Sequence, residues 1–215
     1  VGIALSAWWA PPLGTAAMAV GNIIMWATNL QPFLMGIIVS VVVGIALTLP
    51  ISSAAICAAL GLTGLAGGAA VAGCCAQMIG FAVMSFPENK WGGLISQGIG
   101  TSMLQMGNIV KNPRIWIAPI VTSAITGPLA TCLFGLQMNG TPVSSGMGTC
   151  GFVGQIGIYT GWAVDVASGA KAGITWFDWL GLFMICFILP AVLCPLINLF
   201  CRKKGWVKDG DMKLA

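Results

Sequence analysis

The chain has 215 residues, 58% hydrophobic and only 7% charged, with nine Lys and Arg, five Asp and Glu, no His and a formal net charge of +4. A soluble domain carries about 25% charged residues, whereas the first charged side chain here is Glu88, so residues 1–87 contain no Asp, Glu, Lys or Arg. Water is therefore not the main solvent, and without imidazole there is no His base, no His metal ligand and no phosphohistidine in this chain.

A crossing helix needs about 20 predominantly apolar residues, and the charge-free stretches 1–87, 115–164 and 179–201 supply several. Residues 2–27 read as a first crossing, with Trp8 and Trp9 near one membrane face and Pro11-Pro12 kinking it. Residues 29–32 form a turn, and residues 33–49, dense in Ile and Val, a second crossing. At Pro50 this helix must stop. Ser52 or Ser53 can cap a new helix, but only about ten residues, or about 15 Å, precede Gly61, Gly64, Gly67 and Gly68. That reach is half a bilayer, so the segment reads as a re-entrant half-helix, tolerated only where protein or water covers its open ends. Residues 66–86 are a full crossing with small residues at every fourth position, Gly64, Gly68, Ala72, Ala76 and Gly80, which let another backbone approach closely.

Charged turns at residues 86–90 and 111–114 bracket residues 91–110. At 100° per residue, Gln97, Thr101, Gln105 and Asn108 fall within an arc of about 80°, opposite Ile95, Ile99, Met103, Met106 and Val110. The pattern predicts a helix with a polar stripe, weakened by Gly98, Gly100 and Gly107 so that it can dip in and return. Residues 115–136 form a crossing bent at Pro119 or Pro128. Residues 137–157, polar but uncharged, predict a second re-entrant or cavity-lining loop. Within it Gly146, Gly148 and Gly151 make a formal G-x-G-x-x-G. No strand precedes it, so a tight backbone turn beside a cavity is preferred over a dinucleotide site. Asp165, Lys171 and Asp178 mark a watery face, and residues 176–200 are the last crossing, anchored by Trp176 and Trp179 at one end and by basic residues at the other.

The expected fold is an all-α integral membrane protein, a polytopic helical bundle of about five crossings with re-entrant half-helices and a polar-striped helix. Residues 1–200 would form the transmembrane domain and residues 201–215 a cytoplasmic basic tail. The positive-inside rule places Arg202, Lys203, Lys204, Lys208 and Lys213 with Lys111 and Arg114 in the cytoplasm, which accounts for the basic residues without nucleic acid. The loop count then puts Val1 outside, and a preceding segment with an odd number of crossings is expected. Eight cysteines contain no C-x-x-C pair and read as small hydrophobes. No metal site and no cofactor is expected.

Uncharged polarity inside apolar sequence is the functional signal: Gln77, Gln97, Thr101, Ser102, Gln105, Asn108, Thr149 and Gln155. Such groups are costly in hydrocarbon unless partnered. Their partners are either other helices or the hydroxyls of a neutral solute in a central cavity; amides, which donate and accept, match a sugar or polyol hydroxyl.

Four runs carry a family resemblance: Thr48-Leu-Pro-Ile-Ser-Ser-Ala-Ala55; Gly73-Cys-Cys-Ala-Gln-Met-Ile-Gly-Phe-Ala-Val-Met-Ser85; Gly100-Thr-Ser-Met-Leu-Gln-Met-Gly-Asn-Ile-Val-Lys-Asn-Pro-Arg-Ile-Trp-Ile117; and Ser145-Gly-Met-Gly-Thr-Cys-Gly-Phe-Val-Gly-Gln155. Together they resemble the bacterial phosphotransferase-system EIIC-type membrane family, which includes the perfringolysin O regulator. The resemblance implies a sugar-permease subunit of the bacterial inner membrane that works with soluble phosphotransfer partners. Glucose-type members use a His and a Glu near the substrate, and this chain lacks the His. Two functions follow as expectations: a permease subunit that binds and translocates a neutral hydroxyl-rich solute, or a membrane-embedded regulator with a permease fold that biases a partner. A homodimer is open to either.

Overall fold

A computed structural model of the chain describes residues 14, 15 and 18–214; Trp8, Trp9 and the kink read at Pro11-Pro12 lie outside the described residues. Three helices are long and apolar enough to cross a bilayer, Gly64–Met84, Pro113–Leu133 and Trp176–Lys203, and two shorter apolar helices, Met18–Thr28 and Pro32–Thr48, accompany them. The described residues are helices joined by turns, with one isolated two-residue bridge between Gly64 and Met138. The protein is an all-α polytopic membrane protein.

The first helix, α1, is Met18–Thr28. Pro32 opens α2 (Pro32–Thr48), and Leu49 turns extended ahead of Pro50, which cannot continue the helical ladder. The Ser52 hydroxyl then accepts from the Ala55 amide at 3.2 Å and caps the seven-residue α3 (Ser53–Ala59). The long α4 (Gly64–Met84) follows. Of its apolar stretch 89% is buried, against 33% in Trp176–Lys203, so α4 is the axis of the bundle and the last helix its rim.

Close backbone approach explains that centrality. A Cβ on Gly73 would overlap the Ser40 carbonyl of α2. Gly64, Gly68, Ala72, Ala76 and Gly80 lie on a different side of α4, where Gly68 faces the Leu136 carbonyl and Gly80 meets Cys194. The small residues thus serve two interfaces within the chain, one towards α2 and one towards the second half.

The reading of residues 91–110 as one continuous helix is corrected. The chain runs as α5 (Phe86–Ile95), a π-turn over Ser96–Gly100, an extended Thr101 at φ −160° and ψ 143°, a 3-10 turn over Ser102–Gln105, and α6 (Met106–Lys111). Glycines at 98 and 100 remove the side chains that would hold a regular ladder, and the Thr101 hydroxyl caps the Met103 amide at 3.1 Å instead. Both ends of the segment meet the same partner: Asn89 donates to the Met212 carbonyl at 2.8 Å and Asn108 to that of Lys213 at 3.0 Å. Both ends of the segment therefore lie at the same end of the bundle.

Pro113 starts the next span, which contains α7 (Ile117–Pro128) and loosens into a π-turn over Leu129–Leu133 directly after Pro128. Residues 137–152 hold a four-residue α8 (Pro142–Ser145) and a 3-10 turn, before α9 (Val153–Ala167). The last span comprises α10 (Trp176–Phe183), capped by reciprocal hydrogen bonds between Thr175 and Asp178, a π-turn, and α11 (Leu189–Lys203). Phe183, Ile188, Val192, Leu196 and Leu199 stand half-exposed along it, the apolar face a membrane helix presents to lipid.

Residues after Lys203 fold back onto the residue 88–112 segment. Arg202 bridges Glu88, at 2.9 Å, and Asp209, while the other Glu88 oxygen accepts the Met212 amide at 2.9 Å.

Replacing Gly73 with Ala should lower stability by about 1–3 kcal/mol, because the new methyl meets α2 backbone and no side chain can swing away. Gly107→Ala, on open helix surface, should be neutral or stabilising by up to about 1 kcal/mol. Thermal unfolding of the two detergent-purified variants checks the contrast.

Candidate functional site

Three stretches where regular α-helix is interrupted meet inside this bundle: residues 49–52, 96–102 and 137–152, the last holding only the short α8 and a 3-10 turn. Non-helical backbone at membrane depth is tolerated where it is buried in protein or lines a water-filled space, so its hydrogen bonds must be accounted for. Ser53, 3% exposed, donates to the Gly146 carbonyl at 2.7 Å. Ser145, fully buried, donates to the Leu62 carbonyl at 2.6 Å. Gly64 and Met138 exchange two backbone hydrogen bonds of 3.0 Å. Each of the two short segments thus satisfies carbonyls of the other.

The sequence carries a signal for this exchange. Pro50-Ile-Ser-Ser-Ala54 and Pro142-Val-Ser-Ser-Gly146 are two copies of one pattern, Pro, a β-branched residue, two serines and a small residue. Ser53 and Ser145 occupy the same position in their copies, and both reach across the junction. The small fifth residue is a requirement in the second copy: a Cβ on Gly146 would sit against the Ser53 carbonyl.

The third stretch is tied to both copies. Thr149, just after the second, donates to the Gly98 carbonyl at 2.6 Å. Thr48, just before the first, shares a hydrogen bond of 2.9 Å with Ser102. Behind Thr48 stands Gln77 of α4, fully buried, whose Oε1 accepts from Trp116 Nε1 at 2.8 Å and from Thr48 at 3.3 Å. Its amide nitrogen donates to Ser123 of α7 at 3.5 Å. Gln77 therefore links α2, α4 and α7 at the floor of the junction. Trp116, Ser123, Thr48, Ser53 and Ser145 are not among the binding residues expected from the sequence.

The eight expected binding residues fall into separate places. Gln77, Ser102 and Thr149 line the junction. Gln97, Gln105 and Asn108 form a chain of amides: Gln97 donates to Ser85 at 2.8 Å and to the Gly93 carbonyl at 3.0 Å, Gln105 donates to Gln97 at 2.8 Å, and Asn108 donates to Gln105 at 2.8 Å. The chain ends on the carbonyls of Met212 and Lys213, each 3.0 Å from its donor. All four N–H donors of Gln97 and Gln105 are used within the protein. Thr101 caps its own turn.

Gln155 stands apart, on the opposite side of α4. Its amide nitrogen lies 3.3 Å from Cys75 Sγ, and its Oε1 is buried with no partner. An orphaned buried acceptor costs about 1–3 kcal/mol, and this one borders an apolar cleft of about 320 Å³ walled by Phe152, Tyr159 and Phe187. Gly146, Gly148 and Gly151 do form a tight turn, with Gly148 and Gly151 at φ +54° and +52°. Gly148 packs on Cys74 of α4 and its carbonyl accepts the Gly154 amide at 3.0 Å, which starts α9.

Gln77 and Gln155 should respond in opposite ways to a Leu substitution. Gln77→Leu strands Trp116 and is expected to lower stability by about 2–3 kcal/mol, whereas Gln155→Leu removes an unpaired acceptor and should leave the unfolding temperature unchanged or raised. Thermal melts of both variants in one detergent decide it.

A scan against protein-family models matches residues 1–214 to the family described as phosphotransferase system, EIIC. No curated protein and no solved structure matches the chain. Coverage of essentially the whole sequence, together with apolar crossing helices, places the chain in the phosphotransferase-system EIIC family, as a membrane-embedded sugar-permease-type subunit.

Proposed function

We propose that this subunit binds a neutral, hydroxyl-rich solute at the junction of the three broken segments and translocates it by parting them. The carrying observation is that the same serine of two copies of one sequence pattern reaches the other segment, Ser53 to Gly146 in the second copy and Ser145 to Leu62 just beyond the first. Repeated elements whose helices break near mid-membrane are the usual place for a transporter's site. On this reading residues 50–68 and 137–157 are re-entrant, and the serines hold the closed form. When they part, Ser53, Ser145, Thr149, Ser102 and Gln77 present hydroxyls and an amide of the kind that replaces water around a sugar. Gln97, Gln105 and Asn108, bonded to one another and to the tail, would brace the junction from the basic end, while Thr101 holds its own turn and Gln155 lies across α4 from it.

Charge distribution supports an orientation. Lys111 and Arg114 flank Asn112, which donates to Asp211 at 2.7 Å, so the loop and the basic tail share one end of the bundle. By the positive-inside rule that end is cytoplasmic, and it is where a soluble phosphotransfer partner would dock.

A second reading, a membrane-embedded regulator, is favoured by the folded tail. Residues 206–214 saturate Asn89, Gln105, Asn108 and Asn112 with main-chain carbonyls, an ordered surface through which solute occupancy would reach a partner.

Uptake of a hexose and hexitol panel by proteoliposomes, with the cognate soluble phosphotransfer proteins supplied, tests the first reading. Ser53→Ala and Ser145→Ala each leave a buried carbonyl unpaired, worth about 1–3 kcal/mol, and should change the transport rate about tenfold or more with the protein still folded. Rates equal to wild type in both variants, or no uptake of any panel member, would sink it.

A further inference from the structure

At the end of the bundle opposite the basic tail lies a second polar cavity, of about 320 Å³, bordered by Gln137, Asn139, Trp162, Asp165, Ala170 and Lys171. Its size falls within the about 300–1,000 Å³ usual for small-molecule sites. It is a built feature. The residue 137–140 loop is pressed onto α9 at two glycine contacts, Gly140 on the Gly157 carbonyl and Gly161 on the Asn139 backbone, and side chains at 140 and 161 would hold them apart. That registration sets Asn139 Nδ2 to donate to Asp165 Oδ2 at 2.7 Å and to Gln137 Oε1 at 3.2 Å.

What these bonds leave over is the recognition set. Asn139 Oδ1, the second Asp165 oxygen and the Gln137 amide nitrogen take no hydrogen bond from the protein among the described residues. Lys171 does not neutralise Asp165: its ammonium is 2.6 Å from Asp178 and 5.1 Å from the centre of the Trp162 ring. The cavity thus offers two acceptors, one of them a carboxylate, and one amide donor, with a cation held at its wall. The carboxylate disfavours an anion and the ammonium disfavours a metal ion. Vicinal hydroxyls, each able to donate and accept, satisfy all three free groups.

We infer that this cavity is an outer capture site for the hydroxyl-rich solute, separate from the serine junction, with Asp165 and Gln137 as its direct contacts and Asn139 as the residue that positions Asp165 while offering its own oxygen. The inference rests on the permease reading.

The test uses the full chain in nanodiscs, with D-glucose, N-acetyl-D-glucosamine and D-mannitol as probes. Ala170 is exposed at the rim, so an Ala170→Cys variant can be labelled with a membrane-impermeant maleimide, the wild-type chain setting the background from exposed Cys132. A bound probe should slow labelling about fivefold or more, and Asp165→Asn should weaken its binding about tenfold or more. Gln137→Ala, an exposed and therefore fold-neutral change, should weaken binding severalfold and covers the case in which Asp165→Asn misfolds. Binding or uptake by the wild type with unprotected labelling, or with unchanged affinity in both variants, would overturn the capture site and leave the permease reading standing. Labelling slowed equally by sodium chloride would make it a cation site and overturn it too. If none of the three probes binds the wild type, the permease reading falls and the capture site with it.

Discussion

Hydrocarbon offers no hydrogen bonds, so any peptide group that leaves a helix inside a bilayer must find its partner within the protein. This chain interrupts its helices after Thr48, at Thr101 and after Leu133, and hydroxyls tie the interruptions together: Ser53 and Ser145 between the paired segments, Thr149 onto the Gly98 carbonyl, and a shared bond between Thr48 and Ser102. The breaks are mutually dependent. Losing the Ser53, Ser145 or Thr149 hydroxyl unpairs a carbonyl on a different segment.

Much of this architecture is legible in the sequence because apolar length and proline position act locally. The absence of charge before Glu88, the stop at Pro50, the Ser52 cap and the small residues of α4 each act through a few neighbouring residues, and they stand where the sequence places them. The residue 91–110 segment was misread for a physical reason. Its four polar residues fit a helical face, but three glycines in ten positions let the backbone exchange a helical ladder for a π-turn and a capped kink at Thr101. The stripe's partners were also out of reach of any local pattern, since Gln105 and Asn108 bond to main chain more than one hundred residues later. The serine pair was legible in principle: the two Pro-x-Ser-Ser copies are visible by eye, but their meaning depends on which carbonyls they meet.

The two polar networks differ in kind. The Gln97–Gln105–Asn108 chain is closed, each amide filling the next, and closed networks rigidify what they join. The Gln77 junction is strained towards its edges, with contacts stretching to 3.3 Å and 3.5 Å, while Gln155 keeps an unpaired oxygen. The closed network thus sits at the basic end, where residues 206–214 are clamped, and the longer polar contacts sit around the middle of α4.

The final helix carries one more implication. Its 28 residues span about 42 Å at 1.5 Å per residue, against a hydrocarbon core of about 30 Å. It cannot stand upright with its whole length in oil; it must lean, bend at the π-turn over Met184–Ile188, or lift its Trp176 end into the headgroups. Cys194 on this helix packs against Gly80 of the axial helix, so whatever sets the lean of the rim helix is felt at the axis through a contact with no side chain at position 80 to cushion it.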